Sequence, residues 1–412
     1  MKRREHGDND RQRNSDMKTG VGVGMDGRAT VRGNWKRAVI AGCLIAAPAA
    51  QAATILEPRL RLTAEERFDN DLRLGANAAG GQFMTKLSPR LGLDVKNEQL
   101  TLDTFYATDL LARHGSGKTT LDHRGGFGLR DVLSRRLRLD ASAKVFRVTD
   151  PTSLPRDGLA RSTSPTFYLT TKVGLTGRVT ERMDVRGSYN FEATRIIEPG
   201  REAGYAHTPS VELWYRSTRR LSLGAEYRYQ GFLYAGDYSQ AHGASAALRY
   251  RLSRPTTLTL KGGPVRYLPS EESRGGWMPR VSLELAREGE RSDVAFAIGH
   301  DLVGASGFSG AVWADYASLI AAHRFTAKLS AFGVASFFRN GRAPGENYTE
   351  WRNTTNVSQG YAVGGGVEYR LSRKLALQGA VDRIAQVGAA DTAAAGDLTR
   401  NVFALRLVMT PW

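Results

Sequence analysis

The segment that decides the fold is residues 183–192, which read MDVRGSYNFE. Its odd positions carry Met, Val, Gly, Tyr and Phe, and its even positions carry Asp, Arg, Ser, Asn and Glu. Side chains of an extended strand alternate between two faces, so this segment predicts a strand with one apolar and one polar face. Residues 374–382, KLALQGAVD, repeat the pattern near the other end of the chain. A membrane barrel places the apolar face outside, whereas a soluble sandwich places it inside.

The connectors between such segments distinguish the barrel from the sandwich. Several are short and polar and resemble one another, as in YRLSRP at 250–255 and YRLSRK at 369–374. Ser, Thr and Asn suit tight turns because their side chains bond to nearby backbone groups. Short connectors alternate along the chain with longer ones, and short turns at one end with longer loops at the other are typical of outer-membrane barrels.

Counting connectors gives the strand number. Short turns are predicted near Asn97, Leu133, Val179, Thr218, Ser253, Gly289, Thr326 and Ser372. Longer loops are predicted near 67–83, 112–121, 149–164, 195–207, 233–241, 268–276, 303–309, 339–358 and 386–399. Together they predict an all-β, transmembrane, up-and-down antiparallel β-barrel of about eighteen strands, with sixteen as the other count. An even number leaves both termini on the periplasmic side.

Composition excludes several classes of protein. The 412 residues contain no run of about 20 apolar residues, which excludes a helical membrane protein. The formal net charge is +17, but the basic residues alternate with apolar ones and form no patch with interleaved aromatics. We therefore expect no nucleic-acid partner.

The N-terminal segment predicts an export signal. Lys36 and Arg37 precede an apolar stretch, 38–49, and the motif Ala-Gln-Ala at 50–52 follows it, which is the order of a cleaved signal peptide. Cleavage between Ala52 and Ala53 would leave residues 53–412 as the barrel and 1–52 as the signal with a polar extension. The mature chain would then lack cysteine, because Cys43 is the only one. Residues 40–43, IAGC, leave open a lipoprotein alternative with Cys43 as the lipidated terminus.

The C-terminal segment gives independent support. Residues 401–412, NVFALRLVMTPW, alternate and end in an aromatic residue. With Phe403 and Trp412 on it, this segment is similar to the terminal strand by which the barrel-assembly machinery recognises its clients. We expect that machinery and outer-membrane lipids as partners.

The polar face of the predicted strands supplies the candidate site. It carries both charge signs, as expected of a polar lumen that a hydrophilic solute crosses. The lumen-lining candidates are Arg61, Arg138, Lys144, Lys172, Asp184, Arg186, Glu226, Arg228, Arg249, Arg280, Glu284, Asp315, Glu368, Arg370 and Asp382. No Ser/His/Asp constellation and no metal-ligand spacing is apparent, so we expect no enzyme, metal or cofactor.

The start of the predicted barrel carries a family resemblance. Residues 56–71, LEPRLRLTAEERFDND, resemble the first strand of the beta-barrel porin-2-like outer-membrane proteins, in which a Pro-containing strand enters an acidic loop. Many members are encoded beside exopolysaccharide synthesis genes, and some are proposed as the outer-membrane exit for polysaccharide. The resemblance implies an export porin for exopolysaccharide, with a periplasmic polysaccharide-export complex as a partner.

Three functions are therefore carried forward. The first is the export porin, with the external loops, especially 339–358, constricting or gating the lumen. The second is a general diffusion porin for small hydrophilic solutes, which would show an inward-folded constriction and a strong charge ring. The third is an outer-membrane hydrolase, which would need a Ser/His/Asp cluster at the external rim.

Overall fold

The structure is a computed structural model in which residues 54–70, 81–115, 117–149, 166–197, 203–234, 236–269, 275–304, 311–343, 358–387 and 398–411 are described. Eighteen strands account for nearly all of these residues, as the alternation predicts. In the described residues no helix is long and apolar enough to cross a membrane.

The strands run from 12 to 16 residues. They are β1 (Ile55–Asp69), β2 (Gln82–Lys96), β3 (Leu100–Arg113), β4 (Thr119–Ser134), β5 (Leu137–Val148), β6 (Thr166–Thr180), β7 (Met183–Ile196), β8 (Ala203–Arg216), β9 (Leu221–Tyr234), β10 (Asp237–Arg251), β11 (Thr256–Leu268), β12 (Trp277–Glu288), β13 (Ser292–Gly304), β14 (Ala311–Arg324), β15 (Leu329–Arg342), β16 (Ser358–Arg370), β17 (Leu375–Val387) and β18 (Leu398–Met409).

The sheet closes on itself. Each strand pairs antiparallel with its sequence neighbours, and β1 pairs with both β2 and β18. At the closure Phe68 lies opposite Phe83 on one side and Phe403 on the other. Closure leaves no free sheet edge, so the predicted up-and-down barrel of eighteen strands is confirmed.

All eight short turns lie where the sequence predicts them, and side chains explain why. Connectors of two to four residues join β2 to β3 and every second pair after it. Asn97 accepts hydrogen bonds from the backbone N–H groups of Gln99 and Leu100, at 2.9 and 2.6 Å. Thr218, Thr326 and Ser372 accept equivalent backbone bonds at 2.9–3.2 Å. A short polar side chain thus fixes each of these turns locally.

The other end of the barrel carries the nine predicted loops, with one correction. Between β9 and β10 only residues 235–236 lie outside the strands, although the sequence predicts a longer loop at 233–241. Tyr234 pairs with Asp237 across this connection, and Gly236 has a φ of 86°, which glycine adopts without strain. Residues 237–241 therefore continue the strand ladder.

The outer surface of the wall is apolar. Exposed large apolar side chains recur at every second position of the strands, including Leu91 and Leu93 on β2, Leu405 and Leu407 on β18, and Ile298 on β13. Tyr215 and Tyr369 lie on the same surface beside the short turns. An apolar band with flanking aromatics around a polar interior is the architecture of an integral barrel of the Gram-negative outer membrane.

Two sequence predictions about the chain ends fall outside the described residues. The cleavage position at Ala52 and Ala53 is one, and the terminal aromatic residue Trp412 is the other. Phe403 lies on the outer surface of β18 and is 53% exposed.

Candidate functional site

Contacts between strands that are not neighbours identify the lumenal face. The Lys261 ammonium on β11 lies 2.7 Å from Glu212 on β8, although β9 and β10 separate these strands. Such a contact can form only on the concave side of a closed sheet. Residues that share a face with Lys261 and Glu212 through the strand registers therefore line the lumen.

Nearly all of the predicted lumen residues lie on this face. The registers place there Arg61, Arg138, Lys144, Lys172, Asp184, Arg186, Glu226, Arg228, Arg249, Arg280, Glu284, Glu368, Arg370 and Asp382. Alternation alone assigned them, because a strand in a barrel wall has only two faces.

Asp315 is the exception, and its assignment to the lumen was wrong. It shares the outward face of β14 with Leu319, and it pairs with the ring of His300 at 2.6 Å. Residues 311–321 read AVWADYASLIA, so apolar side chains stand on both sides of Asp315. Local alternation therefore did not reveal which face is lumenal.

A cluster of lumenal ion pairs holds the loop-end part of β13. Arg228 on β9 makes two hydrogen bonds to the Asp301 carboxylate, and Arg280 on β12 donates to the same carboxylate at 3.1 Å. Arg280 also contacts Glu226 at 2.8 Å, which in turn lies 2.6 Å from Lys261. These side chains are mostly buried, so solvent screens their pairing little. We call Glu226, Arg228, Arg280 and Asp301 the clamp.

Beyond the clamp, the loop ends of β13 and β14 separate from β12 and bend into the lumen, and the end of β15 follows them. Pairing between β12 and β13 stops at Val281 and His300, while β13 stays paired with β14 up to Gly304 and Ala311, and β14 stays paired with β15 up to Val312 and Arg342. Burial also loses its alternation here, because the four consecutive residues from Ala311 to Ala314 are all buried. A strand buried on both faces lies inside the barrel.

Apolar contacts hold this inward hairpin against the lumenal faces of β8, β9, β10 and β11. Leu302 and Trp313 pack in one buried cluster with Phe232, Ala241, Val265, Tyr267, Ala311 and Ala343. The Gln230 amide donates to the Leu302 carbonyl oxygen at 3.0 Å. At Gly304 a Cβ would stand 3.3 Å from the Cβ of Ala206 on β8, so the backbone reaches that wall. The hairpin therefore crosses part of the lumen and narrows it.

The wall formed by β5, β6 and β7 remains open and basic. Lys144, Lys172 and Arg186 project from these three strands into the lumen and are solvent-exposed. Within the described parts of the chain none of them has an acidic partner, whereas Arg130 and Arg138 nearby both contact Asp140. We call these three residues the basic wall, since in the described parts of the chain they present positive charge to the lumen without forming an ion pair.

The wall around the β1–β18 closure is instead densely paired. Asp109 contacts Lys86 at 3.3 Å and Arg124 at 2.6 Å, and Asp69 contacts Arg400 at 2.6 Å. These acids are almost fully buried, so this side neutralises itself and offers a solute little free charge.

Several of these residues were missed by sequence reasoning. They are Asp301, which belongs to the clamp, and Lys261 and Glu212, which lie beside it. The Trp214 side chain donates a hydrogen bond to Glu212 at 2.9 Å. The Arg249 guanidinium stacks over the Trp214 ring at 4.1 Å. The alternation of Thr259, Lys261 and Gly263 contained the signal for Lys261. No local signal indicates that Leu302 and Trp313, on the outward face by register, become buried.

One hydrogen-bonded Ser–His pair among the described residues does not lie where the hydrolase hypothesis needs it. Ser292 and His323 are hydrogen-bonded at 2.7 Å, but they lie at the short-turn end, opposite the external rim. No group of three or more His, Cys, Asp or Glu residues that could hold a metal ion occurs in the part of the chain that the structure describes.

Comparison with family models gave no match, and neither did comparison with the sequences of curated proteins. Among solved structures, the chain is similar to Acinetobacter baumannii OccAB4, at 12% identity and a TM-score of 0.43 over 87% of this chain and 99% of that one. It is also similar to a BenF-like porin from Pseudomonas fluorescens Pf-5, at 10% identity and a TM-score of 0.42 over 86% and 98% of the two chains. A third is Pseudomonas aeruginosa OccK2 in complex with glucuronate, at 10% identity and a TM-score of 0.40 over 86% and 99%.

Proposed function

We propose that this outer-membrane barrel is a diffusion porin that passes small hydrophilic solutes and prefers anions. The inward hairpin, which leaves the unpaired basic wall exposed in the lumen, carries this proposal. A barrel of eighteen strands is wide enough to hold an aqueous channel, so an element that crosses the lumen acts as a size filter. Passage needs no covalent chemistry, and the proposal is of a non-catalytic protein.

The basic wall supplies the charge preference. A cluster of like charges in a confined, low-dielectric passage raises the local concentration of counter-ions. Lys144 and Lys172 lie diagonally across the β5–β6 pair, because Lys144 is opposite Thr170 and Lys172 is opposite Ser142. Arg186 adds a third basic side chain on β7, which also carries the lumenal acids Asp184 and Glu192, so an anion passing the hairpin meets basic side chains on three neighbouring strands.

Polysaccharide export remains a prediction of the family resemblance, and the inward hairpin favours the diffusion porin over it. A crossing element obstructs a long polymer more than a small solute. The predicted gating loop, 339–358, lies largely outside the described residues and stays a prediction. Among the described residues, the ends of β13 and β14 narrow the lumen.

Ion selectivity in planar bilayers tests the proposal. The reversal potential of the wild type under a KCl gradient should indicate preference for chloride at about 0.1 M salt, where charges act over about 10 Å. The variant Lys144→Gln/Lys172→Gln/Arg186→Gln should lose most of that preference. Arg135→Gln/Arg219→Gln/Arg254→Gln removes the same charge from exposed short turns and should keep it.

Added oligosaccharides and small sugar acids separate the alternatives. Block by a small sugar acid that the triple lumen variant abolishes supports the diffusion porin. Translocation of long oligosaccharides would instead support the export porin, and a folded barrel without any conductance would end both hypotheses.

A further inference from the structure

The outer surface at the barrel closure contains a groove of about 700 Å³ that the proposed pore does not use. It crosses β16, β17, β18, β1 and β2, and its outward-facing lining is mostly apolar. The strand registers arrange that lining in two rows, Gly365–Val381–Phe403–Phe68–Phe83 nearer the loops and Val367–Gly379–Leu405–Glu66 beneath, and Thr85 lies opposite Glu66 at the edge of the lower row.

Glycine makes the groove and phenylalanine forms one of its sides. A Cβ added at Gly379 would meet no atom within 4 Å, so the missing side chain leaves open space on the lipid-facing surface. Phe68 packs against Phe83 with ring centroids 5.1 Å apart and against Phe403 at 6.4 Å. A depression bounded by such rings fits an extended hydrocarbon chain, which fills gaps that a rigid protein surface leaves.

A cationic side chain stands at the loop end of this groove. Arg383 is the next outward-facing residue after Val381 on β17, so it lies about 7 Å farther towards the loops. It is exposed, and its Nε donates to the hydroxyl of Tyr361 on β16 at 3.1 Å. That bond orients the guanidinium and leaves its terminal N–H groups for an anionic acceptor such as a phosphate.

The opposite end carries the opposite charge. Glu66 lies in the lower row, at the β1–β2 edge, where Thr85 donates to its carboxylate at 2.8 Å and His114 lies 3.5 Å away. A phosphate is therefore favoured at Arg383 and disfavoured at Glu66. The two charges give the groove a polarity that matches a lipid whose headgroup lies at the loop end.

We propose that this groove binds one phosphate-bearing lipid of the outer leaflet, with an acyl chain along Gly379, Val381 and Phe403 and the headgroup phosphate at Arg383. Charge complementarity and the adjoining apolar surface both favour a lipid, because the groove opens towards the bilayer. The proposal depends on the membrane location of the barrel and is independent of what the lumen passes.

Native mass spectrometry of the full barrel tests the proposal. The detergent-solubilised protein is mixed with dioleoylphosphatidylglycerol or with uncharged dioleoylglycerol, and retained lipids are counted. We expect one retained phosphatidylglycerol. Arg383→Ala should lower its retention about tenfold, the size of one lost charged hydrogen bond. Gly379→Leu should also lower it, because the new side chain fills the groove while Arg383 remains.

Arg339→Ala is the matched control, since Arg339 is an outward-facing, exposed arginine on β15 that is not part of the groove. It should retain lipid like the wild type, and the heat-modifiable gel mobility of every variant reports folding. Equal losses in Arg383→Ala and Arg339→Ala would overturn the site in favour of diffuse charge attraction. Equal retention of both lipids would overturn the phosphate contact, and displacement by inorganic phosphate would mean that a free anion occupies Arg383.

Discussion

Replacing Asp301 by alanine should weaken the docking of the inward hairpin. Asp301 accepts hydrogen bonds from Arg228 and Arg280. All three side chains are buried, with exposed fractions of 8–12%. Removing one partner of a buried ion pair costs about 3–5 kcal/mol. We take about 3 kcal/mol, the lower end of that range, because Arg280 keeps its contact with Glu226. The ratio of docked to undocked hairpin should therefore fall about a hundredfold.

Apolar packing resists this change, so the single variant should loosen the hairpin without removing it from the lumen. Leu302 and Trp313 are 1% and 3% exposed, and each buried side chain contributes about 1.5–3 kcal/mol to docking. The expected record is a baseline conductance close to that of the wild type, interrupted by brief excursions to a larger conductance. The double variant Asp301→Ala/Trp313→Ala should remain in the larger state.

Thiol labelling measures the undocking directly. Val312→Cys, in a chain whose Cys43 is replaced by alanine, places a single thiol at a position 7% exposed. Maleimide should label it faster by about the same hundredfold factor when Asp301 is alanine, because labelling follows the open population. Asp184→Ala is the control, since the ion pairs of this lumenal acid among the described residues are with Arg178 and Arg216 on the wall. Unchanged labelling and conductance in the Asp301 variant would refute the clamp.

Two further predictions concern the wall. Leu260→Arg places a charge on the lipid-facing surface and should destabilise the barrel by about 2–4 kcal/mol, measured by urea unfolding from lipid vesicles. Thr259→Arg, on the lumenal face, should destabilise it far less. Equal losses of stability in the two variants would contradict the assignment of the faces. Gly263→Ala should lower the yield of folded, heat-modifiable barrel, because the new Cβ would collide with the backbone carbonyl oxygen of Ala244. Gly187→Ala is the control and should be neutral, because a Cβ at Gly187 meets no atom within 4 Å. Normal assembly of Gly263→Ala would show that the strand spacing there adjusts.

The architecture of the barrel wall could be predicted from the sequence alone. Strand number, turn positions and lumenal faces follow from a period of two residues and from short polar turns, both of which are local. Thr218 and Ser372 fix their turns through bonds to residues two or three positions away, so the sequence shows them directly. Asp315 was misassigned because apolar neighbours on both sides remove the local contrast on which that reasoning depends.

Only the tertiary structure revealed the inward hairpin inside the barrel and the groove on its outer surface. Asp301 reaches Arg228 across 73 positions of sequence, and the outward register of Trp313 does not reveal that its strand bends into the lumen. The lipid-facing groove likewise exists only because closure of β1 against β18 places Phe403 beside Phe68. Alternation specifies which way a side chain points from its own strand, whereas these features depend on where distant strands lie after the barrel closes.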